Sequence, residues 1–299
     1  MKKMLFTGSS GFLGKNILST LKEYYIVKTI DIQDNSDYQY DISSDVPIFK
    51  EDFDIVLHAA GKAHSVPKNE NENRLFYRIN YEGTKNLCMG FNKLKMPKFF
   101  IFISTVAVYG CEKGENISEE HPLNGYSPYA RSKILAEQYL EEWCSKNNII
   151  LTILRPSLIA GVNPPGNLKA MIDGIKKGRY FDIAGGKNRK SLVMASDIVD
   201  IILLAEKKGG IYNICDNYNP SLYELEGLIC KQLNRSRPYM IPYWAAYVMA
   251  KMGDIIGTKS PINSERLEKM VSTLTFSNEK IREELKFKPK EVLKYFKIE

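Results

Sequence analysis

Apolar residues fall into two rhythms along this chain, and their alternation predicts the fold. Lys3 opens a short apolar run through Met4, Leu5 and Phe6; a Gly/Ser turn follows, and then Phe12, Leu13, Ile17, Leu18 and Leu21 recur at helical spacing. That is strand, tight loop, helix. A second β-rich run spans Tyr25 to Ile32, and a third, Phe53 to Leu57, leads into the small residues Ala59, Ala60 and Gly61. The alternation continues with helix-compatible positions from Asn80 to Lys95, an apolar strand from Phe99 to Ile103, a helix from about Tyr129 to Lys146 and a strand from Ile149 to Leu154. Near-continuous apolar strands separated by amphipathic helices predict a doubly wound, Rossmann-type α/β fold, its parallel sheet covered on both faces.

After Pro156 the rhythm breaks at Pro164, Pro165, Gly166, Gly185 and Gly186 into shorter elements, as expected of a smaller C-terminal lobe. Gly210 to Ile214 again reads as a strand. The expected division is a dinucleotide-binding domain over residues 1–158, taking in also about 192–216, and a substrate-binding lobe over 159–299 interwoven with it. No internal repeat or low-complexity segment interrupts the pattern.

Composition adds exclusions. A chain of 299 residues, 44% hydrophobic and 26% charged, can bury a large core. The formal net charge of +7 is spread along the chain, with Lys187 to Lys190 the densest basic cluster, which is too short for a nucleic-acid-binding stripe. Cys88, Cys111, Cys144, Cys215 and Cys230 are odd in number and widely spaced, so they read as reduced thiols of a cytoplasmic protein. Two lysines and an apolar run open the chain, but Gly8 to Gly11 interrupt it before a signal-peptide core could form. The most membrane-like stretch, Ile241 to Ile256, carries Lys251 and Asp254 and is short for a bilayer span; it reads as a docked amphipathic helix. His58, His64 and His121 have no metal-ligand spacing, and no metal is expected.

The first chemical feature is Gly8, Gly11 and Gly14, between the first strand and the first helix, with Phe12 and Leu13 among them. Glycine there lets the backbone turn sharply and approach a pyrophosphate, whose charge meets the free N–H groups of the helix N-terminus. Asp31 ends the second strand about twenty residues on, where a carboxylate accepts hydrogen bonds from an adenosine ribose. It also repels a 2′-phosphate, and no arginine lies within Ile32 to Asp37. NAD is therefore expected rather than NADP.

Taken in order, these residues resemble the extended short-chain dehydrogenase/reductase family of sugar-nucleotide epimerases, dehydratases and reductases, over almost the whole chain. The glycine spacing matches. Asp41-Ile42 resembles the family's adenine-contacting pair, His58-Ala59-Ala60 its cofactor-lining segment, and Asn80 to Thr84 its structural asparagine motif. Ile103 to Gly110 resembles the strand-end motif, with Thr105 at the catalytic Ser/Thr position; Tyr129-Ala-Arg-Ser-Lys133 resembles the Tyr-x-x-x-Lys motif, and Leu154-Arg-Pro156 follows. Glu283 to Pro289 resembles the C-terminal segment, with Lys286 where the family usually has glycine.

The resemblance implies Tyr129 as general acid/base, Thr105 as its hydroxyl partner, and Lys133 as both an ammonium near the phenol and a ligand of the nicotinamide ribose. Elementary chemistry agrees, because residues four apart share a helix face and a nearby cation favours a phenolate. Dehydratases of the family follow the threonine with Asp-Glu; here Val106 and Ala107 stand there, so epimerisation or keto reduction, usually at C4, is expected instead of water loss.

Pro165 to Leu168 resembles the nucleotide-contacting segment and Gly186 to Val193 the diphosphate-gripping one, which makes Asn167, Leu168, Arg189 and Lys190 candidate substrate contacts for a nucleotide sugar, with UDP preferred. Which of Arg189 and Lys190 supplies the charge stays open. Lys62 and His64 lie where sugar contacts occur in the family. Family members pair through the helices that here begin near Asn80 and Tyr129, which implies a homodimer. Two alternatives remain: a reductase of a non-nucleotide alcohol or carbonyl, which would not need the anion contacts, and an NAD-binding sensor, which would not need Thr105, Tyr129 and Lys133 together.

Overall fold

The computed structural model describes residues 1–298 other than 64, 66, 207 and 257–262, so His64 lies outside the described residues. The first half runs β1 (Lys3–Thr7), α1 (Phe12–Tyr24), β2 (Ile26–Asp31), β3 (Tyr38–Gln39), β4 (Ile55–His58) and α2 (Glu70–Tyr77). A π-helical turn over Arg78–Glu82 joins α2 to α3 (Gly83–Met89), and β5 (Phe99–Ile103) follows. After a 3₁₀ turn at Val106–Tyr109 come β6 (Gly114–Ile117), α4 (Pro128–Lys146) and β7 (Ile150–Pro156).

The second half runs β8 (Leu158–Ala160), α5 (Gly166–Lys176), β9 (Asp182–Ile183), β10 (Leu192–Met194), α6 (Ala195–Ala205) and β11 (Gly210–Ile214). It continues through α7 (Leu222–Gln232), β12 (Met240–Ile241), α8 (Tyr243–Ile256) and α9 (Ser264–Val271). The last elements are β13 (Leu274–Phe276), α10 (Glu279–Leu285) and α11 (Val292–Tyr295).

Seven strands form one sheet in the order β11-β7-β5-β4-β1-β2-β3, every pair parallel, which is the doubly wound architecture expected from the sequence. Side chains alternate across each strand, so a run apolar at every position serves two cores at once. Met4 and Phe6 of β1 face α1, α6 and α10, meeting Ile17, Leu21, Ile198, Ile202 and Ile281; Leu5 faces the other way, with Leu87 of α3 and Leu140 of α4. The chain leaves β1 toward β2 and later recrosses to β4 on the opposite side. The loops after β1 and β4 therefore part, and a crevice opens at the carboxyl ends of these two strands.

Beyond β7 most elements build a second core of Leu168, Met171, Ile172, Leu192, Leu225 and Ile229. Three two-stranded parallel pairs, β8 with β10, β9 with β12 and β6 with β13, hold it together. The two parts share segments: β11 completes the large sheet, and Ile281 and Leu285 of α10 pack in its core.

α8 departs from the docked amphipathic helix expected over Ile241 to Ile256. It docks on its small side chains, with Ala246, Ala250 and Gly253 buried at helical spacing and the alanines packed with Leu267 of α9. Small residues let two helices approach closely; the large apolar ones, Trp244 and Ile255 among them, are left facing outward. No described helix is long and apolar enough to cross a membrane.

Candidate active site

The glycine loop closes on itself at the mouth of the crevice. Gly8 has φ of +77°, and a Cβ there would lie 2.6 Å from the backbone nitrogen of Ala60; a Cβ on Gly14 would lie 2.4 Å from the carbonyl oxygen of Ser9. Those two glycines are demanded by backbone packing. Gly11 differs, because its only close neighbour would be the Gly8 carbonyl at 3.2 Å, so a side chain would fill the open face of the loop. α1 begins there with no side-chain cap and no acid in its first turn, leaving N–H groups and a positive helix end pointed at that face. These features fit the pyrophosphate of a dinucleotide. Phe12 and Leu13 form the first turn of α1 and are half-buried.

Asp31 is half-buried at the end of β2, accepting from the backbone nitrogens of Ser10 at 3.0 Å and Ile32 at 2.8 Å. It thus ties the glycine loop to the second strand while keeping an accessible face. Asp41 is exposed and lines a groove with Ile32, Gln39 and Tyr40. Ile42 is buried in the core, its carbonyl accepting from Asn86 at 2.8 Å, so its side chain is not brought to the groove.

His58 is fully buried, whereas Ala59 and Ala60 are half-exposed where β4 ends. Thr84 donates its hydroxyl proton to the Asn80 carbonyl, at 2.7 Å. It must then accept from His58 Nε2 at 2.9 Å, and His58 Nδ1 must accept from the Thr7 hydroxyl at 2.7 Å. The imidazole is a neutral clamp between β1, β4 and α3; burial, with Lys133 nearby, pulls its pKa down to about 3. Asn80, in the π-helical turn, accepts from the Lys62 nitrogen at 2.7 Å and donates to Ser132 Oγ at 2.9 Å, fastening the loop after β4 onto α4.

Thr105, Tyr129 and Lys133 converge at the carboxyl end of β5. Thr105 caps the 3₁₀ turn that follows, accepting from the Ala107 nitrogen at 3.2 Å. α4 starts at Pro128 behind the N-cap Ser127, which aims Tyr129 from the first turn. Burial pushes the Tyr129 phenol above its ordinary 10, and the Thr105 hydroxyl, hydrogen-bonded to it, acts the other way. Lys133 differs from expectation. Its ammonium donates to the Ile103 carbonyl at 2.9 Å and lies 4.5 Å from the Phe102 ring centroid, and it does not figure among the influences on the phenol. Desolvation lowers Lys133 to about 8, opposed by Glu137. Its Nζ lies 3.3 Å from where a Gly61 Cβ would be, so the ammonium reaches the end of β4.

Beneath these residues lies a network that the sequence reading did not assign. Glu137, one turn beyond Lys133, accepts from Ser104 and pairs with Arg155 at 2.6 Å, both partners almost wholly buried. Arg155 also donates to the Tyr109 hydroxyl at 3.0 Å, which donates to Asn213 of β11 at 2.6 Å. The arginine of the Leu-Arg-Pro segment is thereby a fastening of α4 to the sheet. The spacing of positions 129, 133 and 137 on one helix face was the available signal.

A cavity of about 720 Å³ extends from this point into the C-terminal lobe. Val106, Ala107, Ser127 and Ala130, the chain neighbours of Thr105 and Tyr129, line one end, and Asn167, Leu168, Lys190 and Lys269 the other. Lys190 is half-buried, burial lowers its pKa, and it donates to the Lys269 carbonyl at 3.2 Å. Arg189 is not in the lining; it donates to the Asn219 carbonyl at 2.6 Å and stacks on Tyr218. Lys269, unassigned from the sequence, is paired with Glu112 at 3.0 Å and Glu265 at 2.6 Å. Glu112 is the one acid lining the cavity among the described residues, and its carboxyl is held below the usual range by Tyr126 and Lys269. No cluster suited to a metal ion occurs among the described residues.

Residues 4–215 match the profile of the family described as NAD dependent epimerase/dehydratase. The chain is 30% identical, over 93% of its length and 88% of the relative's, to the N-acetyl-α-D-glucosaminyl-diphospho-ditrans,octacis-undecaprenol 4-epimerase of Escherichia coli O157:H7. It is 25% identical to the UDP-glucose 4-epimerase of Vibrio cholerae over 98% of this chain and 92% of that one. Among solved structures it resembles the UDP-glucose 4-epimerase of Thermotoga maritima with UDP-glucose, with a TM-score of 0.75 and 21% identity, covering 98% and 96% of the two chains.

Proposed function

The chain belongs to the NAD-dependent epimerase/dehydratase family, and on that premise we propose that it inverts a sugar at C4, the sugar being carried on the diphosphate of a nucleotide, as in UDP-sugars. The observation that carries this reading is the hydrogen bond between Thr105 and Tyr129, whose chain neighbours Val106, Ala107, Ser127 and Ala130 line a cavity that Lys190 also lines. A diphosphate set against Lys190 would turn its sugar toward Val106 and Ala107, next to the phenol.

NAD, when bound, supplies the hydride acceptor and donor, and its cationic ring favours the ionised phenol. Gly8, Gly11, Phe12, Leu13 and Gly14 would hold its pyrophosphate, Asp31 and Asp41 its adenosine, and Ala59, Ala60 and Lys133 its nicotinamide side. Lys133, anchored by donating to the Ile103 carbonyl, would have its remaining N–H groups for the nicotinamide ribose. Tyr129 Oη takes the proton of the sugar C4 hydroxyl as the C4 hydrogen departs, and returns it when hydrogen comes back to the opposite face. The Thr105 hydroxyl donates its one proton to the phenol oxygen and holds it in line. Val106 and Ala107 present no acid to the sugar, which disfavours water loss.

The reading extends to a cytoplasmic homodimer built on α4 and on α3 with the π-helical turn before it, where Tyr81 of that turn meets Tyr139 edge to face and Lys85 lies over Tyr81. Light scattering of the purified chain checks the assembly. The reaction is checked by incubating the enzyme with UDP-glucose or UDP-N-acetylglucosamine without added cofactor and following the C4 epimer by NMR. Interconversion is expected; no interconversion, but oxidation of added NADH by a UDP-4-keto sugar, would make the protein a reductase, and no turnover with any UDP- or dTDP-sugar would end the nucleotide-sugar reading.

A further inference from the structure

The outer face of α8 has no part in the reaction above. Trp244 is 72% and Ile255 88% exposed, with Tyr247, Met252 and Ile256 beside them, while the inward positions carry only alanine and glycine. β9 and β12 pack beside α8 through Ile183 and Ile241, the Asp182 nitrogen bonds the Tyr239 carbonyl at 3.1 Å, and Phe181 and Tyr239 are both exposed. Isolated apolar side chains on a surface are ordinary; a contiguous patch marks a contact site.

Cations frame this patch. Lys176, Lys177 and Arg179 are exposed on the approach to Phe181, Arg235 on the approach to Tyr239, and Lys251 sits 5.4 Å over the Tyr247 ring. The carboxylates nearby are Asp173 on α5, paired with Lys169 and close enough to feel Lys176 and Lys177, Asp182, which is buried, and Asp254, which accepts from Ser264 and faces Lys251. Aromatic rings, aliphatic tips and flanking cations together complement an anionic bilayer surface, where rings settle at headgroup depth and lysines meet lipid phosphates. A second copy fits less well, because a two-fold contact through this face would oppose the cationic frame to itself.

We infer that this face docks on an anionic lipid bilayer, with α8 lying in the plane of the interface and Trp244, Met252 and Ile255 inserted. On its inner side α8 rests on α9, which contributes Lys269 and Met270 to the cavity wall. Docking thus sets the bilayer one helix away from the substrate cavity. The inference does not depend on the proposed reaction.

The test is sedimentation of the full chain with vesicles of phosphatidylcholine alone or mixed with phosphatidylglycerol, together with tryptophan emission. Binding to the mixed vesicles is expected, with a blue shift that Trp244→Ser removes. The double variant Met252→Ser, Ile255→Ser should weaken partitioning roughly tenfold. Lys176→Glu and Arg179→Glu should each cost about fivefold and reduce the preference for phosphatidylglycerol. Melting curves should not move, since these side chains are exposed. Failure to sediment with either vesicle, or variants that bind like the parent, would overturn the inference; conversion of a dimer to a monomer by the α8 variants, without vesicle binding, would assign the face to a second copy. Turnover of a UDP-sugar by the same preparations reads the reaction separately, so one reading can fail while the other stands.

Discussion

The crevice at the ends of β1, β4 and β5 and the cavity wall made by the C-terminal lobe meet at one site but are built differently. Around the first, polar side chains are buried and mutually satisfied: Thr7, His58, Thr84 and Asn80 form one chain of hydrogen bonds, and Ser104, Glu137, Arg155, Tyr109 and Asn213 another. In the second, Lys190, Lys269 and Glu112 stand at a half-open surface, backed by two- and three-residue strands. Chemistry that tolerates no misplacement is held by the dense region, and recognition of a particular substrate is left to the looser one.

Substitutions can break that contrast. Tyr129→Phe should lower kcat by up to about 10⁴-fold while NAD affinity, measured by calorimetry, holds; an unchanged rate would remove Tyr129 from its role. Arg155→Ala leaves Glu137 buried and unpaired and should cost about 3 kcal/mol or more of stability in urea titration, with Tyr109 and Asn213 loosened together. Acidification acts on the same dense region. With the His58 pKa depressed to about 3 in the fold against 6.5 in the open chain, the unfolded state takes up the proton first. The His58 contribution to stability should be full above 6.5 and fall by about 1.4 kcal/mol per pH unit between there and about 3, a slope that His58→Gln should flatten.

Smaller effects belong to the looser region. Lys190→Met should raise KM for a UDP-sugar by about tenfold with kcat little changed, and Arg189→Met, outside the cavity, should change KM by less than about twofold. Equal effects of the two would mean that the lobe closes around the substrate.

The two regions were also unequally legible in the sequence. β1, β2, β4, β5 and β7 were readable because each is a sheet-buried apolar run, and the Gly8 to Gly14 loop because backbone geometry leaves few residue choices. β3, β6 and β9 were not, being two to four residues long, and β6 and β9 are held by pairing with the distant β13 and β12. At the site, motif positions named Thr105, Tyr129 and Lys133, but not that Lys133 would spend its ammonium on the Ile103 carbonyl. Direction of a long side chain depends on which acceptors the fold leaves open. Arg189 and Lys190 show the same limit: adjacent residues on an extended segment point to opposite sides, and only their bridges to distant segments, Arg189 to Ser221 and Lys190 to Leu274 of β13, decide which meets the cavity. The stretch of α8 reads as a docked helix without a facing, and its contact is made by alanines and glycine, not by the large apolar residues that gave the stretch its hydropathy.

The closure of the large sheet by β11, and of its core by α6 and α10, has a consequence during synthesis. A ribosome that has released residues 1–158 has delivered six of the seven strands and the helices of one face, yet Met4, Phe6, Leu57 and Ile101 still lack Ile198, Ile202 and Ile281 over them. The nascent protein must therefore carry a greasy, half-roofed platform until much later segments emerge. That interval is when a chaperone, or another nascent copy, would find it.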